Sequence, residues 1–409
     1  MRFFSELAPP YRIVAVTAPA LLVIHVATLL WALIDPGTPA SVADKDFANY
    51  WMAGKLIREG RVMDLFGPQP AYFAHLTATF GADFPWHNWS YPPHYLLLIW
   101  PLGYFTYEVA MVVFLAATGA LFLLVLRIVA REAGPMVWVA AGPFIAHNFW
   151  VAQNGYVSAS LGLGALALRD KRPVIAGVLL GLLTVKPQLG LLFPFLLVAE
   201  RRWSMIASAA LTAVALVAAS AAVFGMDAWK GYFDEVVPYQ AFVMRALEGT
   251  FLAMMPAFYG ALRNWTVAAD VALTLHLLIA VPVALITIVA LFRVADARYR
   301  TALFLLGTFI VTPYALSYDL GLLVPALALL AGSGTAGWPE DRHRITLLAV
   351  AMLLPVVMMP LGEMYLSAAP FVLLSIYAMT LSEAAAIGRA GRHRAYGRDA
   401  GMSPSTASG

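Results

Sequence analysis

The stretch Leu183–Leu189 reads LTVKPQL and sets one charged residue, Lys186, within one of the most apolar parts of the chain. Other uncharged runs end in arginines, whereas this lysine falls where the chain should just have reached the opposite face of a membrane. A cation at the middle of a bilayer costs about 3 kcal/mol on insertion scales and roughly 10 kcal/mol or more in simulations. Lys186 is therefore predicted to serve a functional site, the alternative being that its ammonium snorkels to the interface.

The composition predicts an integral membrane protein. Of the 409 residues, 61% are hydrophobic and 12% charged, and the mean hydropathy is +0.77. A soluble protein carries about 25% charged residues. The chain has no cysteine, which excludes disulfides, thiolate metal sites and a cysteine nucleophile. No nucleic-acid partner is predicted.

Apolar periodicity predicts an all-α, polytopic fold with about twelve transmembrane helices. A spanning helix needs about 20 apolar residues, and several of the candidate runs are shorter. The first is interpreted as an uncleaved anchor, although residues 39–43 loosely resemble a cleavage site. Residues 94–103 are predicted to form a shallow re-entrant or interfacial piece. The predicted spans lie near residues 13–34, 104–131, 136–151, 156–169, 173–185, 188–199, 203–224, 267–293, 301–313, 318–332, 344–361 and 367–388.

Charge distribution predicts the orientation of these helices. Most of the 26 basic residues fall on segments that are cytoplasmic if the N-terminus is cytoplasmic, in agreement with the positive-inside rule. Residues 1–390 are then one transmembrane domain whose two long extracytoplasmic loops are residues 35–103 and 225–266. Residues 391–409 are predicted to be a disordered, basic cytoplasmic tail.

With this topology, the polar motifs of the chain fall on the outer face and predict one site roofed by the first loop. A carboxylate after the first span can act as a general base on an acceptor hydroxyl. A lysine with tyrosine hydroxyls and amides suits a phosphate leaving group. The motifs are Asp46-Phe47-x-x-Tyr50, Tyr91-Pro92-Pro93, Gln153-Asn154-Gly155, Lys186-Pro187-Gln188 and Pro313-Tyr314 with Tyr318-Asp319.

Each motif also has a purely structural interpretation. Asp46 could cap the helix that follows it, Gln153-Asn154-Gly155 could be an ordinary tight turn, and the prolines could only break the chain. A transporter or flippase of a lipid-linked or small polar substrate is the main alternative function. Transporters usually contain internal repeats and broken helices at the midplane. We detect no convincing repeat between the two halves of the chain.

The order of these motifs along the chain, and their predicted position on one face of the membrane, resemble the bacterial glycosyltransferase family 87 of the GT-C membrane glycosyltransferases. The best-known members of that family are polyprenyl-phosphate-mannose-dependent α-1,2-mannosyltransferases. The resemblance covers about residues 10–380. It implies an inverting transfer of a sugar, with mannose the prime candidate, from a polyprenyl-phosphate donor to a glycolipid or glycan acceptor. It also implies a multi-pass protein of the bacterial cytoplasmic membrane whose active site faces outward.

The resemblance assigns roles to particular residues. Asp46 becomes the catalytic base, with Asp44 as the alternative if the alignment slips. Many relatives carry a histidine near the late Tyr-Asp motif, whereas this chain has none between His276 and His343. No cofactor is implied, and a metal-free mechanism is preferred although Asp44-Lys45-Asp46 formally reads Asp-x-Asp. Lys186, Gln188 and Tyr318 are predicted to bind the donor phosphate, and the predicted substrate contacts are Tyr50, Trp51, Tyr91, Gln153, Asn154 and Asp319.

Overall fold

The computed structural model describes residues 2–34, 45–332 and 341–400 of the chain, with side chains described from residue 3 to residue 389 of these ranges. All regular secondary structure in the described residues is helical, which confirms the all-α prediction. Asp44 and the cleavage-like residues 39–43 lie outside the described residues.

Six helices in the described ranges are long and apolar enough to cross a membrane. Helices span bilayers because they satisfy every backbone hydrogen bond internally, which lipid cannot do. They are Pro9–Ile34, Tyr107–Ala133, Trp203–Phe224, Ala269–Arg293, Arg342–Glu363 and Ala369–Arg389.

The other six predicted spans are also helical but shorter. All six contain 10–17 residues and rise about 15–26 Å, less than the ~30 Å thickness of the hydrocarbon core. Each of the twelve predicted spans thus coincides with helical structure. Six of them are single helices long enough to cross the membrane. The shorter segments are Met136–Val151, Gly155–Leu168, Pro173–Val185, Pro187–Ala199, Ala297–Val311 and Ser317–Ala331.

The two long loops fold into short helices over one end of the bundle. Residues 94–103, predicted to be re-entrant or interfacial, lie within three consecutive short helical turns, and the turns Leu96–Ile99 and Trp100–Tyr104 pack on Phe47–Arg58. In the first loop the helices are Phe47–Arg58, Val62–Leu65, Gln69–Phe80, Pro93–Tyr95, Leu96–Ile99 and Trp100–Tyr104. In the second they are Met226–Gly231, the π-helical Tyr232–Val236, Val237–Ala246, Thr250–Ala253 and Phe258–Asn264.

The last helix extends further than the sequence pattern suggested. It runs from Ala369 to Ala400 and so includes residues 391–400 of the stretch predicted as a disordered tail. Residues 401–409 lie outside the described residues.

Arginines connect the loops at the opposite end of the bundle. Arg169 Nε lies 3.1 Å and Arg300 Nη2 lies 3.3 Å from the carboxylate of Glu200, and Arg202 pairs with Asp170. These residues come from three loops that the charge pattern assigned to the same face. The loops predicted to share a side therefore do lie together.

Candidate active site

A cavity of about 330 Å³ opens where the two long loops meet the ends of the shorter helices. Six of the ten residues predicted for the site line this cavity, although they are far apart in sequence. They are Tyr91, Gln153, Lys186, Gln188, Tyr318 and Asp319.

Lys186 and Asp319 form a buried ion pair in the cavity wall. The lysine Nζ donates to Asp319 Oδ1 at 2.6 Å, and the two residues are 4% and 2% exposed. The other carboxylate oxygen accepts from the backbone N–H of Leu316 at 3.1 Å, while the ammonium lies 4.6 Å from the centroid of the Tyr318 ring. The carboxylate therefore fixes the ammonium at the cavity and occupies one of its three N–H donors.

Pro187 explains why the chain breaks at this lysine. A proline disfavours helical backbone angles in the residue before it, and Lys186 has φ −132° and ψ 73°. The preceding helical turn ends at Val185, and a new turn begins with Pro187. The Lys-Pro sequence thus gives the lysine a non-helical position between two short helices.

A tyrosine–amide network forms the wall next to Gln153. The Tyr50 and Tyr91 hydroxyls lie 2.9 Å apart, and both donate to the Gln153 side-chain oxygen. Burial raises the pKa of both Tyr50 and Tyr91 well above the ordinary value, so these hydroxyls remain protonated at neutral pH. Asn154 lies behind this network and donates to the Tyr95 hydroxyl at 3.2 Å.

Close backbone packing joins this network to the late motif. Gly155 begins the helix after the Gln-Asn turn, and a Cβ at this position would overlap the carbonyl oxygen of Tyr318. The glycine of the Gln-Asn-Gly motif therefore allows the two segments to approach each other.

Gln240 in the cavity lining connects the second long loop both to the first long loop and to the Pro313-Tyr314 turn. The amide of Gln240 donates to the Tyr314 hydroxyl at 2.7 Å and accepts from Asn88 at 3.3 Å. Burial raises the pKa of Tyr314, and the charges of Asp319 and then Asp46 raise it further. Sequence analysis missed Gln240 because nothing in residues 225–266 distinguished it.

Asp46 lies at the start of the helix Phe47–Arg58, three residues before Asn49, which lines the cavity. It occupies the N-cap position, but its side chain makes no capping hydrogen bond. Its Oδ1 lies 3.1 Å from His87 Nε2, and its side chain is 29% exposed. The carboxylate is thus held by an imidazole and remains accessible.

The hydrogen bonds of His87 constrain the protons of this pair. His87 Nδ1 lies 2.8 Å from the Pro85 carbonyl oxygen, which can only accept, so Nδ1 carries a proton. Nε2 faces the Asp46 carboxylate, and a hydrogen bond there needs one proton between the two groups. His87 therefore bridges the Pro85 carbonyl and the Asp46 carboxylate. Sequence analysis assigned His87 no role beside Asp46.

Four of the ten predicted residues do not line the cavity, namely Asp46, Tyr50, Trp51 and Asn154. Of these, Trp51 also makes no hydrogen bond or ring contact with the tyrosine–amide network or with His87. Its indole donates to the Phe105 carbonyl at 3.0 Å and packs against Phe80 and Tyr107. These contacts join the helix Phe47–Arg58 to Gln69–Phe80 and to the start of the spanning helix Tyr107–Ala133, and none of the residues lines the cavity.

The fold and the cavity define a helical membrane protein with a polar site at one end of its bundle. The family model of glycosyltransferase family 87 matches residues 89–313, more than half of the chain, and the chain belongs to that family. It is therefore a membrane glycosyltransferase. The matched range contains Tyr91, Gln153, Asn154, Lys186 and Gln188, whereas Asp46 precedes it and Tyr318 follows it. No match was found among curated proteins or solved structures.

Proposed function

We propose that this glycosyltransferase moves a sugar, with mannose the favoured candidate, from a polyprenyl-phosphate donor to a glycolipid or glycan hydroxyl. The transfer inverts the anomeric centre at the outer face of the bacterial cytoplasmic membrane. One observation carries the proposal. A buried ammonium, tyrosine hydroxyls and amides line a single cavity, and the partly exposed carboxylate of Asp46 lies three residues before Asn49, which lines the same cavity.

Lys186, Gln188 and Tyr318 are assigned to the donor phosphate. Negative charge grows on the leaving phosphate as the glycosidic bond breaks, and donors fixed in a site of low polarity stabilise that charge. Asp319 balances the lysine charge before the donor arrives and leaves two ammonium N–H groups for phosphate oxygens.

The walls of the cavity suit a lipid-linked donor. The segment 226–246 contributes Tyr232, Gln240 and Met244 to the lining. Its other side chains include Phe233 and Phe242, which are 60% and 57% exposed. One side of this segment thus suits a polar substrate and the other suits acyl chains. A polyprenyl tail in the bilayer could place its phosphate under this segment.

Asp46 is assigned as the general base of a single displacement. The acceptor oxygen attacks the anomeric carbon, the bond from that carbon to the phosphate oxygen breaks, and polyprenyl phosphate leaves. The acceptor proton moves to the Asp46 carboxylate, which His87 orients. This sequence of steps requires no covalent sugar–enzyme intermediate.

The test is a donor panel with the purified protein in lipid. Polyprenyl-phosphate mannose, polyprenyl-phosphate glucose and the corresponding nucleotide sugars are each supplied with alkyl glycoside acceptors, and products are identified by mass spectrometry. We expect a new glycosidic product from a polyprenyl-phosphate donor alone. Product from a nucleotide sugar without lipid carrier would refute the donor assignment. Movement of the donor across the bilayer without a new bond would instead support a flippase.

His87 should affect the rate of transfer rather than donor affinity. We expect His87→Ala to lower kcat about 10- to 100-fold, because the base loses the partner that orients it, with little change in the KM for donor. His87→Gln should recover part of the loss, since its amide can still donate to Asp46. His75→Ala is the matched control, because His75 pairs in the same way with another carboxylate of the same loop, Asp64, at 2.9 Å. Equal losses in both alanine variants would show a structural role only.

A further inference from the structure

An apolar groove lies between the helices Ala269–Arg293 and Ala369–Ala400, at the end of the bundle opposite the cavity. Its volume is about 810 Å³. Leu285, Ile286, Val289 and Ile387 line it and are 41–60% exposed. These side chains face outward along two helices long enough to span a membrane. The groove therefore fits a hydrocarbon chain.

A polar pocket of about 390 Å³ adjoins the groove. The two share the residues Arg293, Val294 and Ala295 in their linings. The pocket is also lined by Glu200, with Arg202 and Arg300 beside it. A molecule with an apolar chain and a polar head could therefore occupy both spaces at once.

The charges around this pair of spaces favour an anion. Glu200 is the acidic residue of the polar pocket, and its carboxylate already pairs with Arg169, Arg300 and more distantly Arg202. Asp296, at the edge of the groove, pairs with Arg298 at 2.9 Å.

Two arginines at the junction have no such partner. Among the described side chains, no carboxylate lies within ion-pair distance of Arg293 or Arg389, and both line the groove. Both are exposed and able to reach a ligand. The junction of the two spaces thus has an excess of positive charge.

We propose that this groove and pocket bind an anionic diacyl phospholipid. Its phosphodiester headgroup lies against Arg293, Arg389 and Arg300, and one acyl chain lies along Leu285 and Val289. Guanidinium groups suit phosphate because they present paired donors, and a soluble anion would leave the apolar groove empty. The site is separate from the sugar-transfer cavity and does not depend on the identity of the donor.

Native mass spectrometry of the purified full chain tests this site. The protein is titrated with phosphatidylglycerol and, separately, with phosphatidylcholine of the same chains, and bound lipid is counted. We expect the anionic lipid to bind at least about tenfold more tightly than the zwitterionic one. The double variant R293Q/R389Q should lose about tenfold or more in phosphatidylglycerol affinity, since each arginine near an anionic headgroup contributes about fivefold.

A charge-matched control and a neutral variant complete the experiment. R127Q/R131Q removes two exposed arginines from another helix with the same predicted orientation and should keep its affinity within about twofold. V289W fills the groove without changing charge and should also expel the lipid, which provides a second test if the double glutamine variant folds poorly. Equal binding of both lipids, or equal losses in the control, would overturn the proposal. Displacement of the lipid by glycerol phosphate at low concentration would show a soluble-anion site instead.

Discussion

Asp46→Asn is expected to reduce product formation by about 10³-fold or more while donor binding changes little. A positioned general base contributes about 10² to 10⁴ in rate, and asparagine keeps the shape of the side chain without its basicity. The side chain is 29% exposed and caps no helix, so removal of its charge should not destabilise the protein greatly. The measurement is the initial rate of glycoside formation at saturating donor, alongside the donor affinity.

Asp64→Asn is the control for this variant. Asp64 lies in the same loop, also pairs with a histidine and is 34% exposed, but its helical turn Val62–Leu65 contributes no residue to the cavity, whereas the helix that Asp46 begins contributes Asn49. We expect it to retain nearly full activity. An Asp46→Asn protein that transfers sugar at more than about a tenth of the normal rate would remove Asp46 from the mechanism.

Lys186→Ala is expected to destabilise the fold as well as to abolish donor use. The substitution leaves the Asp319 carboxylate buried without its cation, and breaking one side of a buried ion pair costs about 3–5 kcal/mol. A lower thermal midpoint in detergent and a reduced yield of monodisperse protein should accompany the loss of activity. This single variant therefore does not separate binding of the donor from stability.

The double variant Lys186→Met with Asp319→Asn separates the two effects. Both charges are removed together, and the asparagine oxygen can still accept from the Leu316 N–H. Replacing a buried ion pair by groups of similar size is often close to neutral for stability. We expect a thermal midpoint near that of the original protein with no transfer from the lipid donor. Full activity in this well-folded variant would limit the pair to a structural role.

Membrane insertion imposes a strong constraint that can be recognised from sequence alone. Long apolar runs predict helices, because no other local structure satisfies the backbone in lipid without neighbours. The helices Trp203–Phe224 and Ala269–Arg293 illustrate this, since both lie within two residues of their predicted bounds. The short segments on either side of Lys186 were recognised for the same reason.

The sequence was less informative where helix boundaries depend on weaker signals. Residues 391–400 are basic and polar, which suggested disorder, yet they continue the last helix. Residues 225–266 gave no reason to prefer Gln240 over its neighbours. Its importance comes from Asn88 and Tyr314, which are distant in the chain.

The sequence by itself determined the membrane class, the helical architecture and the residue types of the candidate site. Placing a polar residue in lipid costs free energy, so each polar residue within an apolar run is easily recognised. Only the tertiary structure decided which of these residues meet. Lys186 joins Asp319 across 133 positions, Asp46 joins His87, and Trp51 turns away from the cavity. Such pairings depend on how helices pack and on where loops fold back, and neither hydropathy nor motif spacing contains that information.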